Sequence, residues 1–187
     1  MSRKKLYTIF FVLPTILLSV SFLGGCGVSI FDYKNNKPVF LPEQWFVGKF
    51  VADGAFFARS GALKRGFHME LEGRDISSGG QIVTELVEHL KYNDGEENNR
   101  TYRIVKVADG RYEATAGGVV GTAEIQASGN ALHWKYKLKQ LVSGSEWTLG
   151  FDDWMYLNDE NTMVDRAEVY KFGITVGEVF LVAKRIS

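Results

Sequence analysis

The sequence ALHWKYKLKQL at residues 131–141 alternates between apolar and polar side chains along most of its length. Its regularly spaced apolar residues are Leu132, Trp134, Tyr136 and Leu138. Because successive side chains of a β-strand point to opposite faces of the sheet, this pattern predicts a strand with one buried and one solvated face.

The same alternation recurs at residues 65–74, where Phe67, Met69 and Leu71 share one face and the intervening positions are polar or charged. Residues that favour tight turns separate these segments, as in Asn93-Asp94-Gly95. The pattern predicts about ten strands, at residues 48–59, 64–75, 80–92, 100–108, 110–116, 119–128, 130–141, 145–157, 161–172 and 175–185.

The predicted connections are short, which indicates an all-β, up-and-down antiparallel meander. Ten strands with one apolar face each bury that face and remove their exposed edges by curling into a barrel. The sequence therefore predicts an all-β protein that closes into an up-and-down barrel of about ten strands.

The chain has 187 residues, enough for one ordinary domain, with 45% hydrophobic and 24% charged residues. This composition excludes a disordered protein and a disulfide scaffold. Lys plus Arg and Asp plus Glu both number 22, so the charge balance favours no nucleic-acid partner.

The N-terminus has the pattern of a secretory signal peptide. Three basic residues, at positions 3–5, precede an uncharged stretch from Leu6 to Leu23. Leu23-Gly24-Gly25-Cys26 then resembles the lipobox of bacterial lipoproteins, in which the cysteine receives acyl chains such as palmitate. An uncleaved transmembrane anchor is the alternative, because the apolar stretch is close to the length that spans a bilayer.

The lipoprotein interpretation predicts a signal peptide at residues 1–25, a lipidated N-terminus and mobile tether at 26–41, and a barrel domain at 42–187. Pro42 is suited to the first position of a short helical turn before the barrel. Gly27 follows the cysteine, whereas lipoproteins retained in the inner membrane often carry Asp there. The resemblance therefore favours the periplasmic face of the outer membrane, with the acyl chains as the membrane contact.

Three stretches carry a resemblance to a known family: residues 42–48 (PEQWFVG), 151–157 (FDDWMYL) and 171–179 (KFGITVGEV). They resemble the signature stretches of an uncharacterised bacterial lipoprotein family, domain of unknown function 3833. The resemblance covers the chain from Pro42 onward and implies a lipocalin-like, calycin-type barrel that binds apolar small molecules. It transfers no catalytic residue.

Motifs for nucleotide binding, zinc proteolysis and serine hydrolysis are absent from the sequence, so we predict neither an enzyme nor a cofactor, with a hydrolase as the third alternative behind the two functions given below. His68, His89 and His133 are expected on solvated strand faces rather than at a metal. The alternating Lys135, Lys137 and Lys139 indicate either a charged outer face or, less simply, an anion-binding stripe.

The most informative polar residues are Asp152, Asp153 and Arg166. Folding the two flanking strands about the turn at residues 158–161 pairs Asp153 with Arg166, and the apolar residues that alternate with each would place both side chains inside the barrel. We predict either a structural ion pair or a polar handle in which Arg166 binds an anionic headgroup. Adjacent Asp152 and Asp153 point to opposite faces, so they do not form a glycosidase pair.

Two functions are compatible with these sequence features. The first is a membrane-anchored module that binds a small apolar or amphipathic molecule such as a lipid. The second is an envelope structural or interaction protein whose barrel is filled by its own side chains. The expected ligand-binding residues are Asp153, Arg166, Trp147, Phe151, Met155 and Tyr170.

Overall fold

A computed structural model describes residues 27–142 and 144–187, and it contains ten β-strands in the predicted order. The predicted signal peptide and Cys26 lie outside the described residues. The strands are β1 (Gly48–Ala58), β2 (Leu63–Asp75), β3 (Val83–Tyr92), β4 (Glu97–Ala108), β5 (Arg111–Ala116), β6 (Ala123–Ser128), β7 (Ala131–Val142), β8 (Ser145–Leu157), β9 (Thr162–Lys171) and β10 (Ile174–Arg185).

Every strand pairs with its sequence neighbours in antiparallel orientation, and β1 also pairs with β10. The sheet is therefore a closed up-and-down barrel, which confirms the predicted fold class. Within residues 27–142 and 144–187, no helix has the length and apolar character needed to cross a bilayer.

The alternation at β2 and β7 places the apolar residues as predicted. Phe67, Met69 and Leu71 of β2 pack against the buried core, while His68 on the same strand bonds to the exposed Asp53. Leu132, Trp134 and Leu138 of β7 are buried inside the barrel.

A single helical turn, α1 (Pro42–Trp45), closes one end of the barrel together with the next two residues, and we call residues 42–47 the plug. Pro42 occupies its first turn, as the sequence predicted, and the buried rings of Trp45 and Phe46 pack on Phe50 and Trp134. The plug is held by the last strand, because the Arg185 guanidinium donates hydrogen bonds to the carbonyl oxygens of Trp45 and Val47.

Gly73 of β2 allows the plug to approach the barrel wall. A Cβ atom at this position would lie 1.5 Å from the carbonyl oxygen of Phe46, a distance that no packing adjustment of a side chain relieves. The plug therefore requires glycine at position 73.

Gly73→Ala is expected to lower the free energy of unfolding by about 2–3 kcal/mol, because the added methyl group displaces the backbone of the plug. Urea unfolding followed by tryptophan fluorescence measures the change. Gly66→Ala on the same strand is the matched control, since its Cβ would meet no atom nearer than 3.9 Å. Equal stability of the two variants would contradict this role of Gly73.

The segment before the plug packs on the barrel. Ile30 and Phe40 are buried, Ile30–Tyr33 forms a 3₁₀ turn, and the N–H of Phe40 donates to the carbonyl oxygen of Gly129 at 2.7 Å. The sequence pattern predicted a mobile tether up to Leu41. That prediction is wrong for residues 30–40, because Ile30 and Phe40, at the two ends of this stretch, are buried against the barrel.

The register of the β8–β9 hairpin differs from the prediction. The N–H of Asn158 bonds to the carbonyl oxygen of Thr162, so the loop contains three residues rather than four. Asp153 consequently faces Ala167, and Arg166 faces Trp154 on the outer surface. The predicted pair of Asp153 with Arg166 is wrong, because a shift of one residue moves a side chain to the other face of the sheet.

Candidate functional site

The barrel encloses a cavity of about 150 Å³. Most of its wall is formed by apolar and aromatic side chains. They come from Phe46 of the plug and from strands β1, β2, β3, β4, β7, β8, β9 and β10. Four charged residues also line it, and they are Glu88, Arg100, Asp153 and Asp165.

Glu88 and Arg100 form the first polar group of the cavity. They are cross-strand partners on β3 and β4, with 3.8 Å between the Glu88 Oε2 and Arg100 Nη1 atoms. Arg100 also donates a hydrogen bond of 3.3 Å to the hydroxyl oxygen of Tyr102. Burial raises the pKa of Glu88 to about 7, although the positive charge of Arg100 opposes this shift.

Asp153 and Asp165 form the second polar group. They are diagonal neighbours on the inner face of β8 and β9, since Asp165 faces Met155 and Asp153 faces Ala167. Both side chains are buried, and within the described part of the chain the Oδ1 atom of each has no hydrogen-bond partner. Burial raises the pKa of Asp165 to about 8; burial and then the nearby Asp165 raise that of Asp153 well above its usual range.

The two polar groups lie on opposite walls of the cavity, because β3 and β8 are five strands apart in a ring of ten. Aromatic rings line the wall between them. Tyr136 stacks on Phe151 with ring centres 5.0 Å apart, and Tyr102 meets Trp134 edge to face at 5.1 Å. The cavity thus combines acceptors for hydrogen bonds with apolar ring faces.

The structure places some of the ligand-binding residues expected from the sequence in the cavity and others on the outer face of the barrel. Asp153, Phe151 and Met155 line the cavity. Arg166 and Tyr170 lie instead on the outer face, where Arg166 pairs with Glu178 at 2.9 Å. The expectation that Arg166 binds a headgroup inside the barrel is therefore wrong.

Trp147, the remaining expected ligand residue, lies outside the cavity at the end of the barrel far from the plug. Its ring is covered by the Lys171 ammonium group, and its neighbours Leu141, Phe172 and Ile174 on the β7–β8 and β9–β10 hairpins are exposed. We call these four apolar residues the distal rim. Phe172 is 93% exposed and has a positive φ of 52°, which is unusual for an aromatic residue.

An outer groove across β7, β8 and β9 contains the second predicted aspartate, Asp152. Its carboxylate bonds to His133 at 2.6 Å and to Lys135 at 3.0 Å, and the imidazole stacks on Trp154. Burial alone would raise the pKa of Asp152, but these two partners lower it. Val28, near the start of the described chain, lines the same groove.

The other histidine and lysine predictions concern this outer surface. His68 on β2 bonds to Asp53, whereas His133 on β7 bonds to Asp152, so each of these histidines has its own carboxylate partner. Lys135 and Lys139 pair with carboxylates of β8. These ion pairs therefore favour a charged outer face, rather than an anion-binding stripe, as the interpretation of the lysines on β7.

Sequence reasoning missed Glu88, Arg100 and Asp165. The signal for two of them was present: Glu88 alternates with Leu86 and Leu90, and Asp165 alternates with apolar residues of β9. A charged residue in the apolar positions of a strand indicates a buried polar group. Arg100 lies in a polar stretch at the start of β4 and carried no such signal.

The sequence matches one family model along most of its length. The model of the family described as "Protein of unknown function (DUF3833)" matches residues 20–185. The chain belongs to the DUF3833 family. No curated protein matches its sequence significantly.

Solved structures resemble the DUF3833 barrel at very low sequence identity. An S-type phycobiliprotein lyase, CPES, from Guillardia theta is similar at 5% identity with a TM-score of 0.56, covering 78% of this chain and 90% of the lyase. Rv2717c from M. tuberculosis is similar at 9% identity with a TM-score of 0.52, covering 79% of this chain and 99% of that protein. These likenesses show that the DUF3833 chain has a lipocalin-like fold.

Proposed function

We propose that this protein is a membrane-anchored binding module that holds a small, partly apolar molecule inside its barrel. The observation that carries the proposal is the lined cavity with two buried aspartates whose Oδ1 atoms have no partner in the described chain. A barrel built only to be filled by its own side chains gains nothing from such groups, since an unpaired buried polar atom costs about 1–3 kcal/mol.

The cavity volume limits the ligand. A dry protein cavity of about 150 Å³ holds a molecule of the size of benzene. A whole phospholipid is far larger than the cavity, so we narrow the expected ligand to a small molecule or to one end of a longer chain that enters at the distal end.

Benzyl alcohol is an uncharged probe for this function, and its size matches that of the cavity. We expect saturable binding by isothermal titration calorimetry of the full-length protein. Asp165→Leu, which fills part of the cavity, should abolish it, and Asp152→Leu on the outer face should leave it unchanged. Absence of saturable binding by benzyl alcohol, and of a retained small molecule in native mass spectra, would refute the proposal.

The membrane anchor is part of the proposal and rests on the sequence. The stretch Leu23–Cys26 resembles a lipobox, and Gly27 in the next position favours the outer membrane. The described chain begins beside the outer groove of β7, β8 and β9, where Val28 lies. Acyl chains on Cys26 would therefore hold this side of the barrel close to the bilayer, at the periplasmic face.

Cys26→Ser is expected to leave an unprocessed or soluble protein, because two or more acyl chains are needed for stable membrane residence. Cell fractionation and the intact mass of the protein measure the result. Normal cleavage and unchanged membrane association of the variant would contradict lipidation of Cys26.

The exposed distal rim favours a second candidate function, an envelope interaction protein. Its four apolar residues are exposed on two neighbouring hairpins, where a partner protein would cover them. A photo-crosslinking residue at position 172 tests this function in intact cells. One discrete protein crosslinked to position 172 would support the interaction function. No crosslinked protein at this position would contradict it.

A further inference from the structure

The cavity contains more acidic than basic side chains. Glu88, Asp153 and Asp165 carry three carboxyl groups, and Arg100 carries the one guanidinium group among the described residues that line the cavity. Arg100 is matched by Glu88, its cross-strand partner, at 3.8 Å. The two aspartates on the opposite wall therefore have no cation of their own in the described chain.

One oxygen atom of each aspartate carboxyl group also lacks a hydrogen-bond donor in the described chain. Each Oδ1 atom is fully buried and has no partner among residues 27–142 and 144–187. Unpaired buried acceptors of this kind are rare in proteins, since burial removes the water that would otherwise donate to them. A ligand that brings N–H groups to this wall supplies the missing donors.

We infer that the cavity takes a small organic cation, a primary amine on a compact apolar body, with its ammonium group donating to Asp153 and Asp165. This inference rests on the proposed binding function and specifies its ligand. An ammonium group has three donors and no acceptor, which suits two neighbouring carboxylates. A carboxylate ligand would meet like charges on this wall and a guanidinium already paired on the other.

The aromatic wall fits the same ligand. Trp134 faces Asp153 in the β7–β8 register, and Tyr102 packs edge to face on it. The stacked rings of Tyr136 and Phe151 lie beside them. The faces of such rings attract cations and pack against apolar groups, so they accept both parts of the ligand.

Binding is coupled to proton release. Burial and the negative charges of Glu88 on β3 and Asp152 on β8 raise the pKa of Asp153, whereas a hydrogen bond from Tyr136 on β7 lowers it. Glu88 also raises the pKa of Asp165, Arg100 lies close to Glu88, and Tyr102 on β4 lies within range of Asp153. Without a ligand cation, burial and the nearby negative charges favour the protonated acids. An arriving ammonium ion keeps its own protons and favours the ionised form, so the acid releases its proton to the solvent and the affinity rises with pH toward about 8.

Three probes of nearly equal size separate the possible ligand classes: benzylamine, benzyl alcohol and benzoate. We expect the full-length protein near pH 8 to bind benzylamine at least about tenfold more tightly than benzyl alcohol, and benzoate more weakly than either. Calorimetry in buffers with different enthalpies of ionisation should show proton release for benzylamine and none for benzyl alcohol.

Asp153→Asn and Asp165→Asn remove the charge with little change in shape, and each should remove the preference for the amine. Glu168→Gln is the matched control, because it removes a carboxylate from the outer face of the same hairpin and should leave the preference intact. Equal binding of amine and alcohol, tighter binding of benzoate, or an amine preference that survives both variants would overturn the inference. Binding of benzyl alcohol alone would keep the proposed function and refute the cationic ligand; binding of none of the probes would refute both.

Discussion

Asp165→Leu is expected to raise the free energy of unfolding by on the order of 3 kcal/mol near pH 8. Asp165 is buried, its Oδ1 atom has no partner in the described chain, and its pKa is raised to about 8. A leucine removes this cost and occupies part of the cavity. A gain in stability with a loss of binding is the pattern expected where a site is maintained at the expense of stability.

The same carboxyl group gives the direction of the pH dependence. Below about pH 4, Asp165 is protonated in both the folded and the unfolded chain. Between about pH 4 and pH 8 the unfolded chain loses this proton and the folded chain keeps it, so stability falls as the pH rises. Asp165→Leu should reduce this fall.

Urea unfolding of the wild type and of Asp165→Leu at several pH values measures both effects. Asp152→Leu is the control on the same hairpin: it removes the contacts of Asp152 with His133 and Lys135 and should not stabilise the protein. A loss of stability in Asp165→Leu at pH 8 would show that this carboxyl group has a structural partner.

Glu88→Gln is expected to cost about 3 kcal/mol, and Arg100→Met is expected to cost less. Removing Glu88 leaves a buried guanidinium that cannot lose its proton in a protein. Removing Arg100 leaves a carboxyl group that escapes the cost of a buried charge by becoming protonated, and its pKa is already raised to about 7. The asymmetry follows from the chemistry of the two groups rather than from their distance.

A double-mutant cycle of Glu88→Gln, Arg100→Met and both together measures the coupling by denaturant unfolding. The double variant should recover much of the loss seen in Glu88→Gln, because no unpaired charge remains. A larger loss in Arg100→Met than in Glu88→Gln would contradict this explanation.

The barrel could be predicted from the sequence because its determinants are local. The alternation in β2 and β7 and the turn residues between strands depend only on neighbouring residues. Pro42 likewise marked the helical plug through its fixed backbone angle. The packing of Ile30 and Phe40 depends on the surface of the finished barrel, so no local pattern revealed it.

The site was less predictable because it depends on register. Asp153 was placed inside the barrel from its own strand, whereas the position of Arg166 depended on the length of the β8–β9 loop. Asp159 accepts a hydrogen bond from the N–H of Asn161, in a loop one residue shorter than the symmetric turn assumed from the sequence. Because the loop is shorter by one residue, Asp165 rather than Arg166 lies on the inner face of β9.

The most direct test of the binding cavity uses the methionine methyl groups. The chain has four methionines, and the three beyond Met1 are Met69, Met155 and Met163, all of which line the cavity. Titration of methyl-labelled protein with benzylamine should shift these three NMR signals together and saturably, and Asp165→Leu should abolish the shifts. Methyl signals that stay unchanged while benzylamine binds elsewhere on the protein would contradict a ligand site inside the barrel.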